Sequence, residues 1–171
     1  MRRSYDGRRY TWAMPESNRL PPDLAALFSG RAFRSRSRAV LPFLTVDPEG
    51  FPRAALLTFG EVRAISVRDL VVAVKSASRT AANLIRRKNA TLLYLARNRA
   101  VWVQASARRG RTCDCDLNRQ IFPLTVVNVK VDRASSQEKT ASLAAGPIFS
   151  ARAGAGLFSE ELFEELGRNP Q

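Results

Sequence analysis

The sequence predicts a mainly β domain with flanking helices, built as a small barrel of mostly antiparallel strands. Three observations lead there. Apolar runs are strand-sized and punctuated by Pro- and Gly-containing turns. Helical spacing is confined to a few short stretches. A chain of 171 residues that is 45% hydrophobic suffices for one core. No run approaches the roughly 18 apolar residues of a membrane-spanning helix.

The chain opens with a basic segment, 1–38, read as an arm on a domain covering 39–171. The arm holds nine arginines against three acids. Within it, Pro21-Pro22-Asp23 followed by Leu24, Leu27 and Phe28 starts a short helix with an apolar face. Strand texture begins at 40–46 and 51–59, which flank Asp47-Pro48-Glu49-Gly50. Asp at the first position, Pro at the second and Gly at the fourth make that tetrapeptide a turn, and the whole a β-hairpin. Pro42 and Pro52 carry no N–H and belong at an edge or a bulge. Residues 70–74 form a buried third strand.

A helix follows over 79–88, capped by Ser78, with Leu84 and Ile85 as its apolar face. A second hairpin joins 91–96 to 100–107. The alternating run 121–131 is a strand long enough to reach more than one neighbour. The last third turns helical. Ser135 with Glu138 reads as a capping box, and a final helix starts at Ser159, with Phe158 and Phe163 placed as a hydrophobic staple.

Missing residue types bound the chemistry. The chain has no histidine, which removes histidine-based acid–base catalysis, Ser-His-Asp and Cys-His nucleophiles, and histidine-ligated zinc or haem. Cys113 and Cys115 are one residue apart, too close for an ordinary disulfide. With Asp114 and Asp116 they make a poor closed metal site, so no metal is expected. Met1-Arg2-Arg3 begins like a secretory signal, but Asp6, Arg8, Arg9, Glu16 and Arg19 interrupt any apolar core, and a cytoplasmic protein is expected. Glu61 with Arg63, and Arg68 with Asp69, read as ion pairs around the sheet.

The net charge of +13 rests on 28 lysines and arginines, only four of them lysines, and attracts polyanions or phosphorylated ligands. The sharpest local signal is Lys75, Ser76, Ser78, Arg79 and Thr80 at the strand-to-helix junction. A helix start leaves N–H groups without partners and carries partial positive charge, so hydroxyls and cations there form a cradle for a phosphate.

Three stretches then stand in a telling order: Leu41-Pro42-Phe43-Leu44-Thr45-Val46-Asp47-Pro48-Glu49-Gly50-Phe51-Pro52-Arg53, Leu70-Val71-Val72-Ala73-Val74-Lys75-Ser76-Ala77-Ser78-Arg79-Thr80-Ala81-Ala82-Asn83-Leu84, and Ala90-Thr91-Leu92-Leu93-Tyr94. Together they resemble the FMN-binding split barrels related to pyridoxamine 5′-phosphate oxidase, over roughly residues 24–149. The resemblance implies a six-stranded antiparallel Greek-key split barrel that forms a homodimer, with FMN in each of two clefts between subunits. It implies that Arg53 lies near the phosphate, on a strand whose Ala55, Leu56, Leu57 and Thr58 run along the flavin. Thr58 stands where the family has a lysine. Val74 and Lys75 fall at the cofactor-facing end of the next strand. Ser78, Arg79 and Thr80 match a phosphate-binding Ser-Arg-Lys, with Asn83 on the same helix, and Gln104 matches a glutamine that reaches the flavin from the partner subunit.

The implied activity is hydride transfer through noncovalent FMN to a small organic substrate. Residues 167–171 read Gly-Arg-Asn-Pro-Gln and lack the basic, histidine-containing signature of the true oxidase, so pyridoxamine phosphate is not the expected substrate. The neutral Thr80 keeps the deazaflavin F420, and hence an F420-dependent reductase, as the alternative. From a different class, the basic composition supports a nucleic-acid or polyanion binder, less favoured because the arginines are scattered and Trp102 reads as core.

Overall fold

The structure, a computed structural model, describes residues 17–31, 39–96, 99–133 and 159–168. In chain order the elements are α1 (Pro22–Ala26), β1 (Val40–Val46), β2 (Pro52–Thr58), β3 (Val62–Ala64), β4 (Asp69–Lys75), α2 (Arg79–Arg87), β5 (Asn89–Ala96), β6 (Arg99–Ala107), β7 (Arg111–Thr112), β8 (Arg119–Arg133) and α3 (Glu160–Gly167). The eight strands form one sheet in the order β2-β1-β5-β6-β8-β4-β3, with β7 on β8, and every pairing is antiparallel.

That order dictates curvature. β2 and β3 are the two ends of the sheet, yet only the 3₁₀ turn Phe59–Glu61 separates them in the chain. Ends so close in sequence force the sheet to curl on itself. The inner face holds Leu41, Phe43, Leu70, Val72, Leu92, Val101, Val103, Phe122 and Leu124, each at most 1% exposed. Full burial of each such side chain contributes about 1.5–3 kcal/mol. α1 and the residues flanking it plug this core with Leu20, Leu24 and Phe28, and the Phe28 ring meets Phe59 and Tyr94.

The turn chemistry acts as the sequence requires. Asp47 Oδ1 accepts the N–H of Phe51, Gly50 N–H donates to the Asp47 carbonyl, and Gly50 takes φ 93°, a conformation glycine adopts without penalty. Pro52 lies on an edge strand. Pro42 lies on β1 just before its pairing with β5 begins at Phe43, so no ladder bond is lost. β8 pairs with β4, β6 and β7, and a bulge at Gln104/Ala105 shifts its register with β6.

Three expectations meet a different outcome. Trp102 is 38% exposed on the outer face, where strand alternation puts it opposite the inward Val101 and Val103. Ile85 is 60% exposed, because α2 turns Ala81 and Leu84 toward the core and leaves Ile85 on the flank. Glu61 pairs with Arg119 and Arg63 with Glu164, long-range partners in place of local ones. Cys113 and Cys115 are both free thiols, Sγ to Sγ at 2.6 Å, with Cys113 packed beside Val71, Ala73, Ile121, Leu162 and Leu166 under α3. α3 begins as expected, with Ser159 Oγ accepting from Leu162 N–H. The capping box at Ser135 and the staple partner Phe158 lie outside the described residues.

Candidate functional site

The junction between β4 and α2 is shaped by short-range bonds. Ser78 N–H donates to the Lys75 carbonyl at 3.0 Å, and Ser76 N–H to the Asn118 carbonyl at 2.7 Å, so the chain turns sharply out of the strand. Ser78 caps the helix, its Oγ accepting from Ala81 N–H at 3.1 Å. The N–H groups of Arg79 and Thr80 precede the first intrahelical bond and point out of the helix start. Lys75 and Arg79 are exposed, Thr80 is half-buried, and neither cation forms an ion pair with a described residue. Ser76 Oγ is buried without a partner among the described residues. Val74, by contrast, faces the core at 4% exposure.

α2 lies against the β1–β2 hairpin. Asn83 Nδ2 donates to Thr45 Oγ1 at 3.0 Å, and Arg87 donates to the carbonyls of Asp47 and Pro48. Thr45 is the register partner of Arg53, so Arg53 shares the α2 side of the sheet, with its guanidinium 3.7 Å from the Asp47 carboxylate. Along β2 the pleat divides the expected ring-side residues. Ala55 and Leu57 turn inward, and Leu56 stands outward at 57% exposure. Thr58 is buried, and both its N–H and its hydroxyl donate to Glu61 Oε2.

Gln104 lies on the outer face of β6, its Oε1 accepting from Asn128 Nδ2 at 3.1 Å. It lines a cleft of about 380 Å³ with Leu44, Thr91, Ala105 and Val127. The structure therefore groups Lys75, Ser78, Arg79 and Thr80 at the helix start and Arg53 at the adjoining sheet edge. It sets Gln104 on a separate surface and gives Asn83 and Thr58 structural bonds. Asp47 is legible only as a turn residue and Asn128 not at all; their roles in orienting Arg53 and Gln104 act across strands. Ionisation follows the same geometry elsewhere. The Arg99 guanidinium bonds the Asp23 carboxylate and holds its carboxyl below the usual range, fastening α1 to β6. Burial, then the neighbouring Cys113, pushes the Cys115 thiol up to about 12.

No family model matches the chain. It is 26% identical over 121 residues to the uncharacterised protein YclD of Bacillus subtilis, spanning 70% of this chain and 79% of that one. Among solved structures, a candidate pyridoxamine 5′-phosphate oxidase of Lactobacillus delbrueckii superposes with a TM-score of 0.52 at 19% identity, over 68% of this chain and 99% of that one. HupZ of Group A Streptococcus superposes with a TM-score of 0.53 at 10% identity, over 67% and 95%. With its sheet curled between β2 and β3 and its helix start at Ser78, the chain has the fold of the pyridoxamine 5′-phosphate oxidase-like split barrels.

Proposed function

We propose that this chain is a noncovalent FMN-binding oxidoreductase, a Greek-key split barrel working as a homodimer on a small organic substrate. The observation that carries the reading is the α2 start, where outward N–H groups meet the exposed cations Lys75 and Arg79, with Arg53 at the adjoining sheet edge. The donor set fits a phosphate dianion: backbone N–H groups, the Thr80 hydroxyl and guanidinium groups, which can bind oxyanions bidentately. The ring end of a flavin needs apolar cover and hydrogen bonds at its rim. β2 offers both, as an edge strand with unpaired backbone groups and with Leu56 exposed. A bound flavin supplies the redox chemistry itself, which suits a chain with no histidine.

The chain's own residues hold and orient. Arg79 and Lys75 neutralise the phosphate, Ser78 keeps the helix start rigid, and Asn83 fixes α2 on β1. A second copy accounts for the outer face, where Leu56, Trp102 and Val127 stand 57%, 38% and 59% exposed. There Gln104 would face the partner's cofactor.

The deciding experiment is an absorption spectrum from 300 to 550 nm of the purified protein, repeated after FMN addition and after dialysis. Twin flavin bands that survive dialysis and are lost in Arg79→Ala support the proposal. A single band near 420 nm replaces FMN by the deazaflavin. No band and no uptake of added FMN refute it.

A further inference from the structure

The C-terminal half of α2 borders a cleft of about 440 Å³ that shares no residue with the flavin reading. By the rise of an α-helix, Lys88 lies about 15 Å along the axis from Ser78. Its exposed hydrocarbon is Ile85 from the helix; Leu84 and the ring of Phe122 from β8 lie behind it, each 1% exposed. Ile85 is the informative member, since it is 60% exposed and stands on the cleft flank with Lys88, three positions on.

Lys88 and Arg109 supply cations beside Arg108, and no acidic residue lines the cleft among the described residues. The backbone under these cations is pinned. Lys88 N–H donates to the Leu84 carbonyl, the Lys88 carbonyl accepts from Ala107 N–H at 2.6 Å, and Arg108 N–H donates to the Pro123 carbonyl at 2.9 Å. Lys88 is the only non-glycine residue among those described with positive φ, at 59°. Glycine would adopt that helix-ending conformation more cheaply, so the site carries a strained residue whose side chain is a cation at the cleft wall.

Gly110 fits tightly against the floor. A Cβ there would lie 2.6 Å from Phe122 Cε1, so the basic turn sits directly on the ring. Gln120, also in the lining, has its Oε1 buried with no partner among the described residues. That oxygen only accepts, so it calls for a donor and is not a contact for the phosphate.

We propose that this cleft is a second binding site, for an organic phosphate with an apolar body. The phosphate lies between Lys88 and Arg109, and the body rests against Ile85. The negative end of the α2 dipole opposes an anion here, which is why the site needs more than one cation.

The test is isothermal titration calorimetry of the full chain at low ionic strength, with and without excess FMN, using 1-naphthyl phosphate as probe. One probe binds per chain in both conditions, and inorganic phosphate alone and 1-naphthol alone are each at least tenfold weaker. Arg109→Ala weakens the probe tenfold or more, whereas Arg79→Ala leaves it unchanged. Lys88→Gly separates binding from folding, because it removes a cation together with the backbone strain: Tm does not fall, but probe affinity does. No binding, naphthol as tight as its phosphate, or loss of the probe in Arg79→Ala but not in Arg109→Ala overturns the proposal. A chain that takes no FMN yet keeps the probe refutes the flavin reading and supports this one.

Discussion

Asn83 shows how a helix that presents ligand groups is held in place. Its Nδ2 donates to Thr45 Oγ1 at 3.0 Å, with the two residues 4% and 1% exposed. In Asn83→Ala the bond is lost, at about 1 kcal/mol net, and the Thr45 hydroxyl stays buried without that donor, at about 1–3 kcal/mol. Alanine returns about 0.5 kcal/mol through better helix propensity. The expected cost is therefore about 2 kcal/mol. Thr45→Val strands the amide instead and costs a similar amount. The double variant removes both partners, so its cost falls short of the sum by about 1–2 kcal/mol. Urea denaturation gives all three values as shifts in midpoint at constant slope. Additive costs, or an Asn83→Ala change below about 0.5 kcal/mol, would refute the strut. An Asn83→Ala variant of full stability that no longer takes up FMN would make Asn83 a ligand.

Three further outcomes test other parts. Arg111 reaches Glu165 Oε1 at 2.6 Å and also donates to the carbonyls of Glu165 and Arg168, while the Glu165 side chain is 5% exposed. Arg111→Ala leaves that carboxylate buried and costs about 3 kcal/mol, seen as faster hydrogen exchange confined to α3. The Cys115 thiol is raised from 9.0 to about 12, burial being the largest cause. The unfolded chain thus loses its proton first, so this contribution to stability is intact below pH 9 and declines as pH rises toward 12. Iodoacetamide at pH 8 accordingly labels Cys115 far more slowly in the native protein than in urea. Finally, Leu56→Asp on the exposed outer face converts the expected dimer to a folded monomer, read by sedimentation velocity with unchanged circular dichroism.

What the sequence made legible is local. The Asp47 to Gly50 turn and the Ser78 and Ser159 caps are set by residues within a few positions of one another, and each forms as read. The start of α2 belongs to the same class. What stayed hidden depends on which strands become neighbours. Trp102 reads as core because its type is usually buried; only the position of β6 between β5 and β8 decides that its side of the strand faces outward. Thr58 stands where the family has a lysine, but the 3₁₀ turn after it commits its hydroxyl to Glu61. The cleft beside Ile85 is assembled from α2, the turn after β6 and β8, which the sequence keeps far apart.

The same distinction bears on the charge. As a bare sum, +13 favours a polyanion partner, but the described arginines divide into two uses. Arg63, Arg87, Arg99, Arg111 and Arg119 each spend the guanidinium on an acceptor 39 to 100 residues away in sequence, joining elements that hydrophobic contact alone leaves loosely registered. Arg119 is the clearest: it donates to Glu61 and to Asp116 at once. Burial works against its charge, but the two carboxylates outweigh that and raise its pKa. A planar fork can serve two diverging carboxylates, whereas a single ammonium cannot. Arg119→Lys keeps the charge and still costs about 1–2 kcal/mol, a bond to a charged group. If Arg119→Lys were neutral in urea denaturation, the fork would be dispensable and the arginine would count as surface charge. If it destabilises as expected, much of the basic composition is architecture, and the cations assigned to ligands are Lys75 and Arg79 at the start of α2 and Lys88 and Arg109 near its end.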